Sequence, residues 1–214
     1  MGDAAIVSDE QRRALDRLST LPILADFYLA GGTALGIHLA HRRSVDLDFF
    51  SRAPNADIDA VKVALAGCFD RVEVLVETDG ALHLLCDGLP IDFVRYPYPL
   101  LEPPGAAFGV GLAGVRDLAV MKLAAISRRG LRRDFWDLYE ALRTRLTLRE
   151  CGEAYILRFG VREADLYHVL RALTYFEDAE KDPVMPRGLD EATWTKIKAF
   201  FRKEAPKLVI PRDV

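Results

Sequence analysis

Residues 27–50, FYLAGGTALGIHLAHRRSVDLDFF, constrain the fold of this chain more than any other stretch. Phe27–Ala30 is an apolar run that reads as a short buried strand closed by a glycine pair, Gly31 and Gly32. From Thr33 to His41 apolar residues recur densely, at Ala34, Leu35, Ile37, Leu39 and Ala40, as in a helix packed on a sheet. Val45–Phe50 then reads as a second strand. Successive strand side chains alternate faces, so Asp46 and Asp48 point the same way, roughly 6.6 Å apart along the strand, while Val45, Leu47 and Phe49 point the other way. Two carboxylates on one face, beside a glycine turn able to approach a phosphate, suggest a divalent-metal and nucleotide site.

The flanking sequence completes the architecture. Ser8 or Asp9 caps a helix running to about Leu18. Residues 53–57, with Pro54 and Asn55, read as a loop, and Asp57 caps a helix to about Cys68 with apolar Ile58, Val61, Leu65 and Phe69 at three- and four-residue spacing. Three strands follow, Arg71–Glu77, Ala81–Cys86 and Ile91–Tyr96. The turn signals Asp79-Gly80 and Asp87-Gly88 join them into an antiparallel meander. Pro97, Pro99, Pro103 and Pro104 mark an irregular connector. From Arg116 the pattern is helical, over about 116–128, 132–145, 148–159, 162–176 and 191–204. Gly130 and Gly160 stand at helix ends, Thr147 and Glu150 have capping-box spacing, and Asp190 caps the last helix. The expected class is α+β: a small mixed sheet flanked by helices over residues 1–110, then a C-terminal helical bundle over 111–214.

Composition narrows the function classes. Of 214 residues half are apolar and the net charge is −3, which excludes wholesale disorder and argues against a generally basic nucleic-acid binder. A local basic patch remains compatible. Cys68, Cys86 and Cys151 are scattered and read as small core residues in a reducing compartment. The charged N-terminal stretch is not a secretory signal, and no run approaches the roughly 18 apolar residues of a membrane helix. The expectation is a soluble cytoplasmic protein.

A third strand carboxylate, Asp92, sits in LPIDFVRY among Ile91, Phe93 and Val94. A carboxylate on a mostly buried strand is costly unless paired or metal-bound. If that strand lies beside Val45–Phe50, Asp92 joins Asp46 and Asp48, and three oxygen donors suit Mg²⁺. Such metals would activate an attacking hydroxyl and stabilise a pyrophosphate leaving group. The backbone N–H groups of Gly31, Gly32 and Thr33 can cradle a phosphate at the helix N-terminus. His38 and His41 lie three apart, but no Cys or further His joins them, so they read as structural. Arg128, Arg129, Arg132 and Arg133 surround Gly130. They either complement a helix C-terminus or contact nucleotide or RNA phosphate, and Arg133 reads as structural because it abuts Asp134.

These motifs together resemble a known family. Gly31-Gly32-Thr33-Ala34-Leu35, His41-Arg42-x-Ser44-x-Asp46-Leu47-Asp48-Phe49 and Ile91-Asp92-Phe93 are similar to the AbiEii/AbiGii-type nucleotidyltransferase toxins of the DNA polymerase β-like superfamily. The similarity continues through Asp117-Leu118-Ala119-x-Met121-Lys122-Leu123 and Arg129-Gly130-x-x-Arg133-Asp134-Phe135-x-Asp137-Leu138-Tyr139, and covers about residues 20–140. The superfamily's commoner signature is Gly-Ser, and here Thr33 follows two glycines.

The resemblance implies a nucleotidyltransferase fold and transfer of a nucleoside monophosphate from an NTP to an acceptor hydroxyl. It assigns Asp46 and Asp48 to Mg²⁺ or Mn²⁺, Asp92 to the metal or to general-base work, Lys122 to the triphosphate, and Asp134 to the family's Lys…Asp pair. Arg42 and Ser44 would support the Asp pair or the nucleotide. It further implies a toxin with an antitoxin partner and an RNA acceptor such as a tRNA 3′ end. A small-molecule acceptor, as in aminoglycoside-modifying relatives, and a nucleotide-binding module without catalysis are the alternatives.

Overall fold

The computed structural model describes residues 6–52, 56–183 and 185–208. The expected loop at Pro54 and Asn55 lies outside the described residues. The chain divides into two compact units, Met1–Gly114 and Val115–Val214.

In the first unit α1 (Asp9–Leu18) opens with a capping box in which Ser8 and Gln11 each bond the other's backbone N–H. β1 (Phe27–Ala30) runs straight into α2 (Gly31–Leu39), which starts two residues earlier than expected and ends at Ala40 in the left-handed conformation. β2 is Leu47–Ser51, so Asp46 stands just ahead of the strand rather than on it. The strict two-residue alternation therefore starts one residue too late to include Asp46. Asp57 caps α3 (Ile58–Ala66) by accepting from the Ala60 N–H.

β3 (Val72–Thr78), β4 (Ala81–Cys86) and β5 (Leu89–Val94) form the expected meander. The connector after the prolines holds what the sequence reading missed, a hairpin of β6 (Gly105–Ala107) and β7 (Val110–Leu112). Three-residue strands are too short to show alternation. Their turn uses Phe108 and Gly109, both at positive φ, instead of the usual Asn-Gly or Asp-Gly signal. Together the strands make one mixed sheet in the order β3-β4-β5-β2-β1-β7-β6. β2 runs parallel to β5 and antiparallel to β1, while β7 pairs parallel with β1.

One face of the central strands is core. Leu47 and Phe49 of β2, Ile91 and Phe93 of β5, and Leu82 and Leu84 of β4 are all fully buried. Phe93 stacks on Phe49 at 5.1 Å and meets Phe27 edge-on at 5.3 Å. Burial of each such side chain contributes about 1.5–3 kcal/mol. Residues of the opposite parity, Asp48, Asp92 and His83 among them, take the other face. Burial pushes the Cys86 thiol up to about 12, helped by the Asp87 carboxylate, as expected of a small unreactive core residue.

The second unit is helical among its described residues: α4 (Val115–Arg128), α5 (Arg132–Thr144), α6 (Leu148–Phe159), α7 (Glu163–Ala172), α8 (Glu177–Lys181) and α9 (Glu191–Glu204). The expected helix over 162–176 stops early, and Leu173–Phe176 link it to α8. Thr147 and Glu150 form the capping box, Gly160 ends α6 at positive φ, and Asp190 caps α9. Phe135 is the centre of an aromatic core with Phe176, Trp194 and Phe201 at 5.1, 5.8 and 5.6 Å. No helix among the described residues is long and apolar enough to cross a membrane.

Candidate active site

The site in the first unit is assembled where β1 ends and β2 begins. Gly31, the first residue of α2, has φ +65°, a conformation that L side chains rarely adopt. A Cβ there would land on Asp48 Oδ2. The glycine lets the chain turn directly beneath this carboxylate. A Cβ on Gly32 would stand 2.5 Å from Arg42 Nη2 and 2.7 Å from Ser44 Oγ. The glycine pair thus forms a floor over which Asp48, Arg42 and Ser44 converge. Ala30, which precedes the helix, has no side-chain oxygen to cap the first-turn N–H groups, and such a helix start favours an anion.

Asp46 is held from several sides. Ser44 Oγ donates to Asp46 Oδ1 at 2.6 Å, and Thr33 Oγ1 donates to the Asp46 carbonyl at 2.6 Å. Gln11 Nε2 reaches the Ser44 and Asp46 carbonyls at 3.1 and 3.3 Å and Thr33 Oγ1 at 3.4 Å. Gln11 is buried and sequence reasoning missed it. Its only signal was its place three residues after Ser8, which marks it as a capping residue and says nothing of the loop it also pins. Thr33 therefore uses its hydroxyl on the Asp46 backbone.

Strand pairing supplies the third carboxylate. Asp48 lies opposite Asp92 in the parallel β2–β5 register, and Asp92 lies opposite His83 in the antiparallel β4–β5 register. Asp48, Asp92 and His83 thus form one row across three neighbouring strands. His83 Nδ1 is 2.9 Å from Asp92 Oδ2. His83 was also missed, although the Asp87-Gly88 turn fixes its register.

Among the described residues no three His, Cys, Asp or Glu side chains already converge as a metal cluster. The donor set nonetheless fits Mg²⁺, which uses one or two carboxylates and takes its remaining oxygens from water and substrate phosphates. Asp48 over Gly31 and Asp46, bonded to Ser44 beside Gly32, are the carboxylates that would be available to such a cation. His38, read as structural, bonds the Ala113 carbonyl at 2.8 Å.

The second unit holds Lys122 and Asp134 as neighbours. Lys122 Nζ, on α4, lies 3.0 Å from Asp134 Oδ1 and 2.7 Å from Asp137 Oδ2, both on α5. Arg129 chelates Asp134 through Nε and Nη2 at 2.9 and 3.1 Å. It is thus Arg129, across the Gly130 turn, rather than exposed Arg133, that engages Asp134. Burial pushes the Asp134 carboxyl upward, but the Lys122 charge and the Arg129 bonds outweigh it and hold it below its ordinary range. Arg132 donates to the Asp182 and Glu180 carbonyls at 3.0 and 3.4 Å, so the acidic segment over residues 177–182 packs against Arg132.

Comparison with known proteins follows the same lines. The family described as "Nucleotidyl transferase AbiEii toxin, Type IV TA system" matches residues 13–83 and 83–212. An uncharacterised protein of Aquifex aeolicus is 36% identical over 199 residues, which cover 91% of this chain and 94% of that protein. Among solved structures, JHP933 from Helicobacter pylori superposes with a TM-score of 0.58 at 17% identity, over 94% of each chain. MenT4, a nucleotidyltransferase toxin from Mycobacterium tuberculosis, superposes with a TM-score of 0.52 at 18% identity, over 95% of this chain and 88% of that one.

Proposed function

We propose, from the premise that the chain belongs to the AbiEii nucleotidyltransferase toxin family, that it transfers a nucleoside monophosphate from an NTP to a hydroxyl of an RNA such as a tRNA 3′ end, with Mg²⁺ or Mn²⁺. The observation that carries this reading is the placing of Gly31 directly beneath Asp48, with Asp92 in register on the next strand. A bound divalent cation would supply charge for the triphosphate and lower the pKa of the attacking hydroxyl. Asp46 and Asp48 would hold it. The Gly31, Gly32 and Thr33 N–H groups would take phosphate oxygens, with the Arg42 guanidinium over Gly32 adding a forked donor. Ser44 orients Asp46 through its 2.6 Å bond. Asp92, one strand away from Asp48, would receive the acceptor hydroxyl's proton or complete the metal's donors. The assignment of Lys122 and Asp134 to nucleotide handling rests on motif likeness.

In a toxin–antitoxin setting the partner would be an antitoxin protein, and the cell compartment the cytoplasm. Mass spectrometry of total tRNA after incubation with each NTP and Mg²⁺ tests the acceptor. The expected result is a mass increase of one or more nucleotides at the 3′ end. Absence of any adduct with all four NTPs, alongside modification of an aminoglycoside-like alcohol, would replace RNA by a small-molecule acceptor.

A further inference from the structure

Resting on the nucleotidyl-transfer reading, we propose that His83 is a positioning residue of this site, holding Asp92 in one orientation through its Nδ1–H. The β4–β5 turn is two residues, Asp87 and Gly88, both at positive φ, the geometry that suits a tight hairpin. That turn pairs Cys86 with Leu89 and so puts His83 opposite Asp92. Asp92 in turn lies beside Asp48. His83 Nδ1 is 2.9 Å from Asp92 Oδ2, with the two side chains 38% and 28% exposed. A carboxylate accepts only, so the imidazole nitrogen donates, and the neutral ring protonated on Nδ1 suffices. On a half-open face packing does not fix a short carboxylate. A bond to one oxygen removes rotation about Cβ–Cγ and presents the other oxygen in a single direction. Removal of such an orienting partner typically lowers activity about 10- to 100-fold.

Two substitutions separate the bond from the space it fills. His83→Asn keeps an amide N–H near the Nδ1 position, whereas His83→Leu keeps bulk and loses the donor. The expected result is a fall in kcat of about 10- to 100-fold for His83→Leu with KM for the NTP within about twofold, and recovery to within about threefold of wild type for His83→Asn. Matching thermal midpoints confirm that both variants are folded. Wild-type kcat in His83→Leu, or an equal loss in both variants, would overturn the proposal. A second readout needs no turnover: ¹⁵N NMR of the metal-free protein should show His83 protonated at Nδ1, with that proton's protection from exchange lost in Asp92→Ala. An unprotonated Nδ1, or a resonance indifferent to Asp92→Ala, also overturns it. A wild-type protein that transfers nothing from any NTP would count against the nucleotidyl-transfer reading, and the NMR result would still decide the His83–Asp92 bond.

Discussion

Gly31 joins backbone geometry to chemistry at a single residue. Its φ of +65° would cost an alanine roughly 1–2 kcal/mol, and the added Cβ would displace Asp48. Gly31→Ala is expected to lower kcat/KM by about 100-fold, the scale of a misplaced catalytic group, while circular dichroism shows a folded protein. Near-wild-type turnover in that variant would mean that Asp48 does not work where the fold puts it. Lys122 demands a different measurement, because its ammonium already sits between two fully buried carboxylates. Removing one partner from a buried ion pair costs about 3–5 kcal/mol. Lys122→Ala should therefore show that loss in urea unfolding, whatever it does to activity. A stability change within about 0.5 kcal/mol, the spread of ordinary surface substitutions, would contradict the burial of the cluster.

At the scale of elements, α1 links helix capping to the site, since the Gln11 side chain both closes the capping box and ties down the Asp46 loop. Ser8→Ala should cost about 1 kcal/mol in thermal or urea unfolding, and Gln11→Leu should in addition lower turnover. The α4–α5 corner predicts an acid sensitivity. The folded Asp134 carboxyl is held below its ordinary range by Lys122 and Arg129, against the opposing effect of burial. The stability it contributes is thus complete above the unfolded carboxyl's pKa of about 3.9 and is lost as pH falls through the lower folded value. Unfolding midpoints should drop below about pH 4 in wild type, and less steeply in Asp134→Asn.

Element type was legible wherever local chemistry decides it. Ser8, Asp57, Thr147 and Asp190 cap the helices they were expected to cap, and Asp87-Gly88 turns the hairpin it announces. What escaped depends on long-range pairing. The β6–β7 hairpin exists because β7 finds the free edge of β1. Gln11 acquires its site contacts only through neighbours far away in sequence, whereas His83 meets Asp92 across the hairpin, a pairing visible only once the strand register is followed from the Asp87-Gly88 turn. Asp46 left its expected strand because the Ser44, Thr33 and Gln11 bonds define a loop there.

For the whole molecule, the family match extends through both compact units, so the full chain is the form in which activity is to be measured. If the chain acts as a toxin through its carboxylates, induced expression of wild type should arrest bacterial growth, and Asp48→Asn at equal expression should not. The most direct measurement is pyrophosphate release by the purified full chain, given each NTP in turn with Mg²⁺ and total cellular RNA. The account predicts release with at least one NTP, dependent on the divalent cation, and a fall of at least about 100-fold in Asp48→Asn with an unchanged thermal midpoint. Release at the wild-type rate by Asp48→Asn would contradict it.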